Sequence, residues 1–238
     1  RLDENHYIMT TTTGGAANVL GKLEDYLQTE WPELDVYLSS VTDHYATASI
    51  CGPNSKKILN KLIPDLDLSD EGFPHMSFKN AKIDNIKCRI MRISFTGEHS
   101  YEINIQANYG EDLWRKCMDA GEEFNITPYG TETMHLLRAE KGFIIVGQDT
   151  DATMTPIDLQ MDWIVSKKKY DFIGKRSLYR SDTMKEDRKQ LVGLVTDNPS
   201  EVLEEGAQIV ANTSLKPVEM LGHVTSSYYS PNLNKSIA

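Results

Sequence analysis

The chain has 238 residues, 39% of them hydrophobic and 25% charged, with a formal net charge of −10 at pH 7. That length can bury one large core or two smaller ones. The acidic balance excludes a general polyanion binder, which needs clustered Lys and Arg.

No apolar run reaches the length of a membrane span and no secretory leader opens the chain, so the reading is a cytoplasmic protein with neither a membrane nor a nucleic-acid partner. Cys51, Cys88 and Cys117 are odd in number and lack a C-x-x-C spacing. They suggest reduced structural thiols rather than a disulfide framework or a zinc site.

In chain order, Arg1 opens without an initiator Met and residues 6–10 form a strand-like run bounded by polar residues. At the other end, residues 234–238 stop as an apolar run begins, where a further strand is expected. Both ends are therefore expected to be clipped. Residues 16–29 carry Val19, Leu20, Leu23 and Leu27 at helical spacing, with Thr12, Thr13, Gly14 and Gly15 placed to cap the first turn. Residues 36–41 and 45–51 read as strands, and Gly52-Pro53-Asn54-Ser55 starts a helix bearing Ile58, Leu59 and Leu62. Strands over 83–94 and 101–106 flank the turn Thr96-Gly97-Glu98-His99, and a helix returns over 109–123. This is part of a ferredoxin-like, α+β layout.

Residues 129–178 then place a charged helix, a strand, a Gly147-Gln148-Asp149 turn and a second helix led by Thr155-Pro156 in fixed order. Short strands over 191–196, 208–211 and 220–226 suit a small C-terminal β-barrel that the ending leaves open. The expected domains are residues 1–180 and 181–238. Exposed strand edges would favour aggregation or swapped dimers.

Several signals point nowhere specific. The small residues at 10–15 resemble an anion cradle but lack a P-loop Lys. His6, His44, His75, His99, His135 and His223 never fall in a metal-ligand spacing. Ser94, Ser226 and Ser227 sit in no nucleophile elbow. Lys167-Lys168-Lys169 reads as a solvated charge run, or as a basic rim for an anionic tail.

Glu102 is different, because it interrupts an alternating strand where an inward carboxylate needs donors. A pterin supplies them: its ring N–H and exocyclic amino group can donate two parallel, charge-assisted hydrogen bonds to one carboxylate. An outward-facing strand Glu remains the other reading of this spacing.

The stretch Ser94-Phe95-Thr96-Gly97-Glu98-His99-Ser100-Tyr101-Glu102-Ile103 is similar to the Tyr-Thr-Gly-Glu-x-Gly-x-Glu motif of the folate-dependent aminomethyltransferase family. That family holds the glycine-cleavage T-protein, dimethylglycine oxidase and the sarcosine oxidase α subunits. Leu137-Arg138-Ala139-Glu140-Lys141-Gly142, Gly147-Gln148-Asp149, Thr155-Pro156 with Trp163, and Asp171-Phe172-Ile173-Gly174-Lys175 resemble further family motifs in the same order. Gly222-His223-Val224-Thr225-Ser226-Ser227 with Ser230-Pro231 resembles its C-terminal barrel signature. The run from Thr10 to Gly15, and residues 188–193 and 203–207, favour the sarcosine oxidase α branch.

The resemblance implies that Glu102 anchors the pterin, with Phe95, Tyr101 and Trp163 packing at the folate site and Arg138 lying against it. Phe95 departs from the family tyrosine and Ser100 from its glycine. The alternative for Arg138 is an ion pair with Glu140 or Glu132. The implied activity passes the one-carbon unit of oxidised sarcosine to tetrahydrofolate, giving 5,10-methylenetetrahydrofolate. Flavin and NAD belong to other parts of the intact enzyme, and the partners are the other sarcosine oxidase subunits and the N-terminal half of the α subunit. The family's catalytic aspartate falls upstream of Arg1, so no catalytic residue is assigned and the isolated chain is expected to be inactive. A stand-alone T-protein-type aminomethyltransferase and a non-catalytic folate-binding or assembly module are the alternatives.

Overall fold

The computed structural model describes residues 1–214 and 216–238, without the side chain of Thr13. The chain folds as two compact units: residues 1–94 with 99–127, and residues 95–98 with 128–238.

The first unit is built on four antiparallel strands, β1 (Tyr45–Cys51), β2 (Phe78–Ile83), β3 (Ile86–Met91) and β4 (Ser100–Gln106), in the order β1-β4-β3-β2. Strand alternation sorts β4 by face. Tyr101, Ile103 and Ile105 are fully buried, whereas Glu102 and Asn104 point to the opposite side. Helices α2 (Ser55–Leu62) and α3 (Gly110–Gly121) pack on the buried face, where Leu59 and Leu113 meet the sheet core. The α+β expectation therefore holds. The strand expected over 83–94 narrows to β3, and β2, which precedes it, was not anticipated; Asp84 adopts a left-handed φ of 53° and turns the chain back between the two.

Helix α1 (Ala16–Thr29) spans the expected residues, and its apolar stripe is only half-buried. Its N-cap is Gly15, with no side-chain cap. The Thr12 carbonyl accepts the Gly15 N–H at 3.0 Å instead, and a cap from the Thr13 hydroxyl lies outside the described residues. The runs at 6–10 and 36–41 form no strands. The first gives a single Asp3–His6 bridge, and in the second Tyr37 is 93% exposed, which leaves β propensity no ladder to join.

The second unit carries helix α4 (Thr131–Glu140) and four short strands, β5 (Gln208–Val210), β6 (Met220–His223), β7 (Tyr228–Ser230) and β8 (Lys235–Ile237). They pair as two open two-stranded sheets, β5-β6 and β7-β8. Residues 191–196 contribute only the Val195–Ile237 bridge. The strand expected after α4 is irregular, and the Thr155-Pro156 helix lasts one turn. Thr155 and Asp158 form a reciprocal capping box, with Thr155 N–H to Asp158 Oδ2 at 2.8 Å, but Gln160 turns left-handed at φ 57° and ends it.

The interior of this unit is polar. Among the described residues its one buried hydrophobic side chain is Val224, while Arg138, Asp149, Asp158, Ser226, Ser227, Ser230 and Ser236 are all buried. No described helix is long and apolar enough to cross a membrane.

Candidate functional site

The open face of the four-stranded sheet displays the carboxylate singled out by the sequence. Register places Glu102 between Ser49 on β1 and Met91 on β3, with Phe78 of β2 opposite Met91. The Glu102 side chain is half-buried, and burial pushes its carboxyl above the usual range. Among the described residues no donor reaches that carboxylate. The Asn104 side chain donates to the Glu102 backbone carbonyl, Nδ2 to O at 3.5 Å, and not to its carboxylate. A partly desolvated acceptor without a donor is unfavourable unless something outside the chain supplies one.

Tyr101 neighbours Glu102 in sequence but faces the other way. It is fully buried, its ring 5.7 Å from that of Phe73 and its hydroxyl 2.9 Å from His99 Nε2. Tyr101 therefore has a core role and fixes the strand that carries Glu102.

Phe95 and Trp163 belong to the second unit and are accessible, at 39% and 73% exposure. Phe95 lies in the turn that Gly97 shapes with a left-handed φ of 76°.

Arg138 is buried at the end of helix α4. Helix α4 ends where Gly142 turns left-handed at φ 70°, letting the Phe143 N–H close onto the Arg138 carbonyl at 2.9 Å. The Arg138 side chain, 3% exposed, pairs with Asp149, which is 4% exposed. Its Nη1 also donates to the Phe143 carbonyl at 3.0 Å, and its Nη2 to Ser226 Oγ at 2.6 Å.

Asp149 further accepts the Ile145 N–H at 2.8 Å and the Thr225 and Ser226 hydroxyls at 2.7 Å. Burial pushes the Asp149 carboxyl up, but these four donors together outweigh it and hold it below the usual carboxylate range. The partner expected for Arg138 was Glu140 or Glu132. Glu140 is instead taken by Ser230 Oγ at 2.5 Å and Asn232 Nδ2 at 3.2 Å.

Asp149, Thr225 and Ser226 were quoted as motif residues but given no side-chain role. The signal that could have found them is the arginine itself, since a buried guanidinium requires a carboxylate. A second network ties Asp158 to Arg188 through Nε at 2.7 Å and Nη2 at 2.5 Å. Among the described residues no cluster of His, Cys, Asp and Glu could hold a metal ion.

Comparison with known proteins adds a family context. Residues 1–169 match the GCVT N-terminal domain and residues 189–238 the glycine cleavage T-protein C-terminal barrel domain. The chain is 53% identical to a sarcosine oxidase subunit alpha of Corynebacterium sp. (strain P-1), over 99% of this chain and 25% of that protein. It is 41% identical to the Rhizobium meliloti (strain 1021) subunit alpha, over 100% of this chain and 24% of that one. An aminomethyltransferase of Clostridium botulinum (strain Kyoto / Type A2) is 32% identical, over 86% and 53%. The chain thus spans about a quarter of the sarcosine oxidase subunits it matches. Among solved structures, the glycine cleavage system aminomethyltransferase T from Bartonella henselae superposes with a TM-score of 0.70 at 22% identity, covering 94% of this chain and 57% of that one.

Proposed function

This chain belongs to the glycine cleavage T-protein family, and from that premise we propose that it is the folate-binding part of a sarcosine oxidase α subunit, with Glu102 as the pterin anchor. The observation that carries the reading is the state of Glu102: half-buried, raised in pKa by burial, and without a donor among the described residues. Those properties fit a ligand edge presenting two parallel N–H groups, because a bidentate charge-assisted pair would compensate the desolvated carboxylate and fix the ring's orientation. Tetrahydrofolate supplies the nucleophilic amine for one-carbon transfer, giving 5,10-methylenetetrahydrofolate.

The chain's own contribution is placement. Tyr101, locked between Phe73 and His99, holds β4 and with it the Glu102 backbone. Phe95 and Trp163 offer accessible rings for packing. Arg138 acts as a positioning residue that fixes the end of α4 through Asp149 and Ser226. Holding the amine at reacting distance supplies much of the rate gain open to such a site. On this reading residues 1–180 form the folate-binding domain and residues 181–238 the barrel. The other sarcosine oxidase subunits are the partners, the flavin and NAD sites lie elsewhere in the enzyme, and the compartment is the cytoplasm.

The test is a calorimetric titration of the chain with folinic acid beside Glu102→Ala. Binding that this substitution removes supports the reading, and equal binding by a folded Glu102→Ala chain overturns it.

A further inference from the structure

A strand at the edge of a sheet presents unpaired backbone groups, and folded chains blunt such edges with charge, Pro, bulges or shortness. The strands of the second unit, β5 to β8, are short, at three or four residues each. In the first unit the order β1-β4-β3-β2 leaves β1 and β2 outermost. Strand β2 carries Lys79 and Lys82, and an antiparallel pair of two such strands would set one lysine against the other. Strand β1 has seven residues, Tyr-Ala-Thr-Ala-Ser-Ile-Cys, with neither a charge nor a Pro.

The pairing of β1 with β4 fixes which of its groups face outward. The Gly52 N–H donates to the His99 carbonyl at 2.9 Å, one step beyond the Cys51–Ser100 pair. Hydrogen-bonded positions alternate along an antiparallel ladder. Ala46, Ala48 and Ile50 therefore turn their N–H and C=O toward β4, while Tyr45, Thr47, Ser49 and Cys51 turn theirs away. Among the described residues no backbone group pairs with those four on the outer side. Tyr45, Thr47 and Ser49 are exposed and Cys51 is half-buried.

We propose that β1 is a self-pairing edge, through which two copies of this chain join antiparallel about a two-fold axis at Ala48 into one continuous sheet. Nothing in this pairing depends on the reading of Glu102. About that axis Tyr45 faces Cys51 of the second copy and Thr47 faces Ser49 of the second copy, so each outward N–H meets an outward C=O. Ala48 meets its own counterpart at the close, non-hydrogen-bonded spacing, where its small side chain fits. Charge selects the antiparallel sense. Asp43, exposed just before β1, approaches Lys56 and Lys57, exposed in the first turn of α2 just after it. A parallel pair would set Asp43 against Asp43. A two-fold contact of this kind closes on itself and stops at the dimer.

Sedimentation velocity on the 238-residue chain, from about 10 μM to about 1 mM, reads the association. One strand pair is a small interface, so a dissociation constant of about 100 μM is expected. Thr47→Pro removes an outward N–H from each copy and no ladder bond to β4, and Thr47→Lys brings like charges together across the axis. Each should weaken the dimer by about tenfold or more, with thermal melts confirming the fold; Thr47→Lys decides alone if the proline unfolds the strand.

Register is read by Ala48→Cys in a Cys51→Ser background. Facing Cα atoms about 4.5 Å apart allow a disulfide, so mild oxidation should give a cross-linked dimer, and Glu24→Cys on the exposed face of α1 should not. A chain that stays monomeric across the range, as when the edge serves only a different polypeptide, overturns the proposal. So does a dimer that folded Thr47→Lys retains at full strength, or one that Ala48→Cys fails to cross-link.

Discussion

Arg138 of α4 and Asp149 of the following turn form an ion pair whose two side chains are 3% and 4% exposed. Breaking such a pair leaves a buried charge uncompensated. Arg138→Ala should therefore cost about 3–5 kcal/mol in urea unfolding, whereas an Arg138→Met/Asp149→Leu double change should recover much of the loss. Arg138→Lys should not rescue, since one ammonium cannot serve Asp149, Ser226 and the Phe143 carbonyl together.

The two carboxylates that define the units should respond oppositely to pH. Glu102 is raised by burial, so the folded state binds its proton more tightly than the unfolded chain. Its contribution is favourable at low pH and is lost as pH rises through its folded pKa. Asp149 is held low, so its contribution is present above the ordinary carboxylate pKa and is lost on acidification. Glu102→Gln should raise Tm at pH 7 and leave it nearly unchanged at pH 3. Asp149→Asn should lower Tm at pH 7, with the deficit shrinking in acid. A pH series of thermal melts checks both.

Thiol chemistry should separate the three cysteines. Cys88 and Cys117 are buried and burial pushes both thiols up, Cys117 to about 11, while Cys51 is half-exposed. At pH 8 a disulfide reagent should titrate Cys51 quickly in the folded chain and the other two only on unfolding. Mass spectrometry of the labelled peptides reads the order.

Gly97→Ala should be costly. Its φ of 76° strains an L residue, and a Cβ there would lie 2.0 Å from Lys141 Cγ, so that side chain must move. Gly52→Ala has a φ of 105° but open space around the new Cβ. Both should destabilise by about 1–2 kcal/mol, with Gly97→Ala the larger, in denaturant titrations.

Much of the first unit was legible because its signals are periodic. Helix α1 and strand β1 begin and end where the residue pattern places them, and Tyr101, Ile103 and Ile105 alternate with Glu102 and Asn104 as a one-sided sheet requires. The second unit was less legible because its structure is not periodic. Thr155 and Asp158 make a genuine capping box, yet the helix it announces stops at Gln160. Local capping favours a first turn but does not provide the apolar face that would extend it. Arg138 shows the same limit: its family motif was plain, but its partner lies 11 residues away in a turn whose side-chain directions no spacing rule encodes. Glu102 was legible as an anomaly, a charge in an alternating strand.

The polar interior of the second unit sets it apart thermodynamically from the first. Exposing apolar surface raises heat capacity and exposing polar surface lowers it. The first unit, with Leu59, Phe73, Ile90 and Ile103 sealed in its core, should unfold with a large heat-capacity increment and a sharply domed stability curve. The second, which exposes serines, carboxylates and a guanidinium around Val224, its one buried hydrophobic side chain among the described residues, should have a small increment and a flat curve. Cooling would then weaken the sheet unit while leaving the α4 unit almost unaffected, so the two halves of one chain have different temperatures of maximum stability.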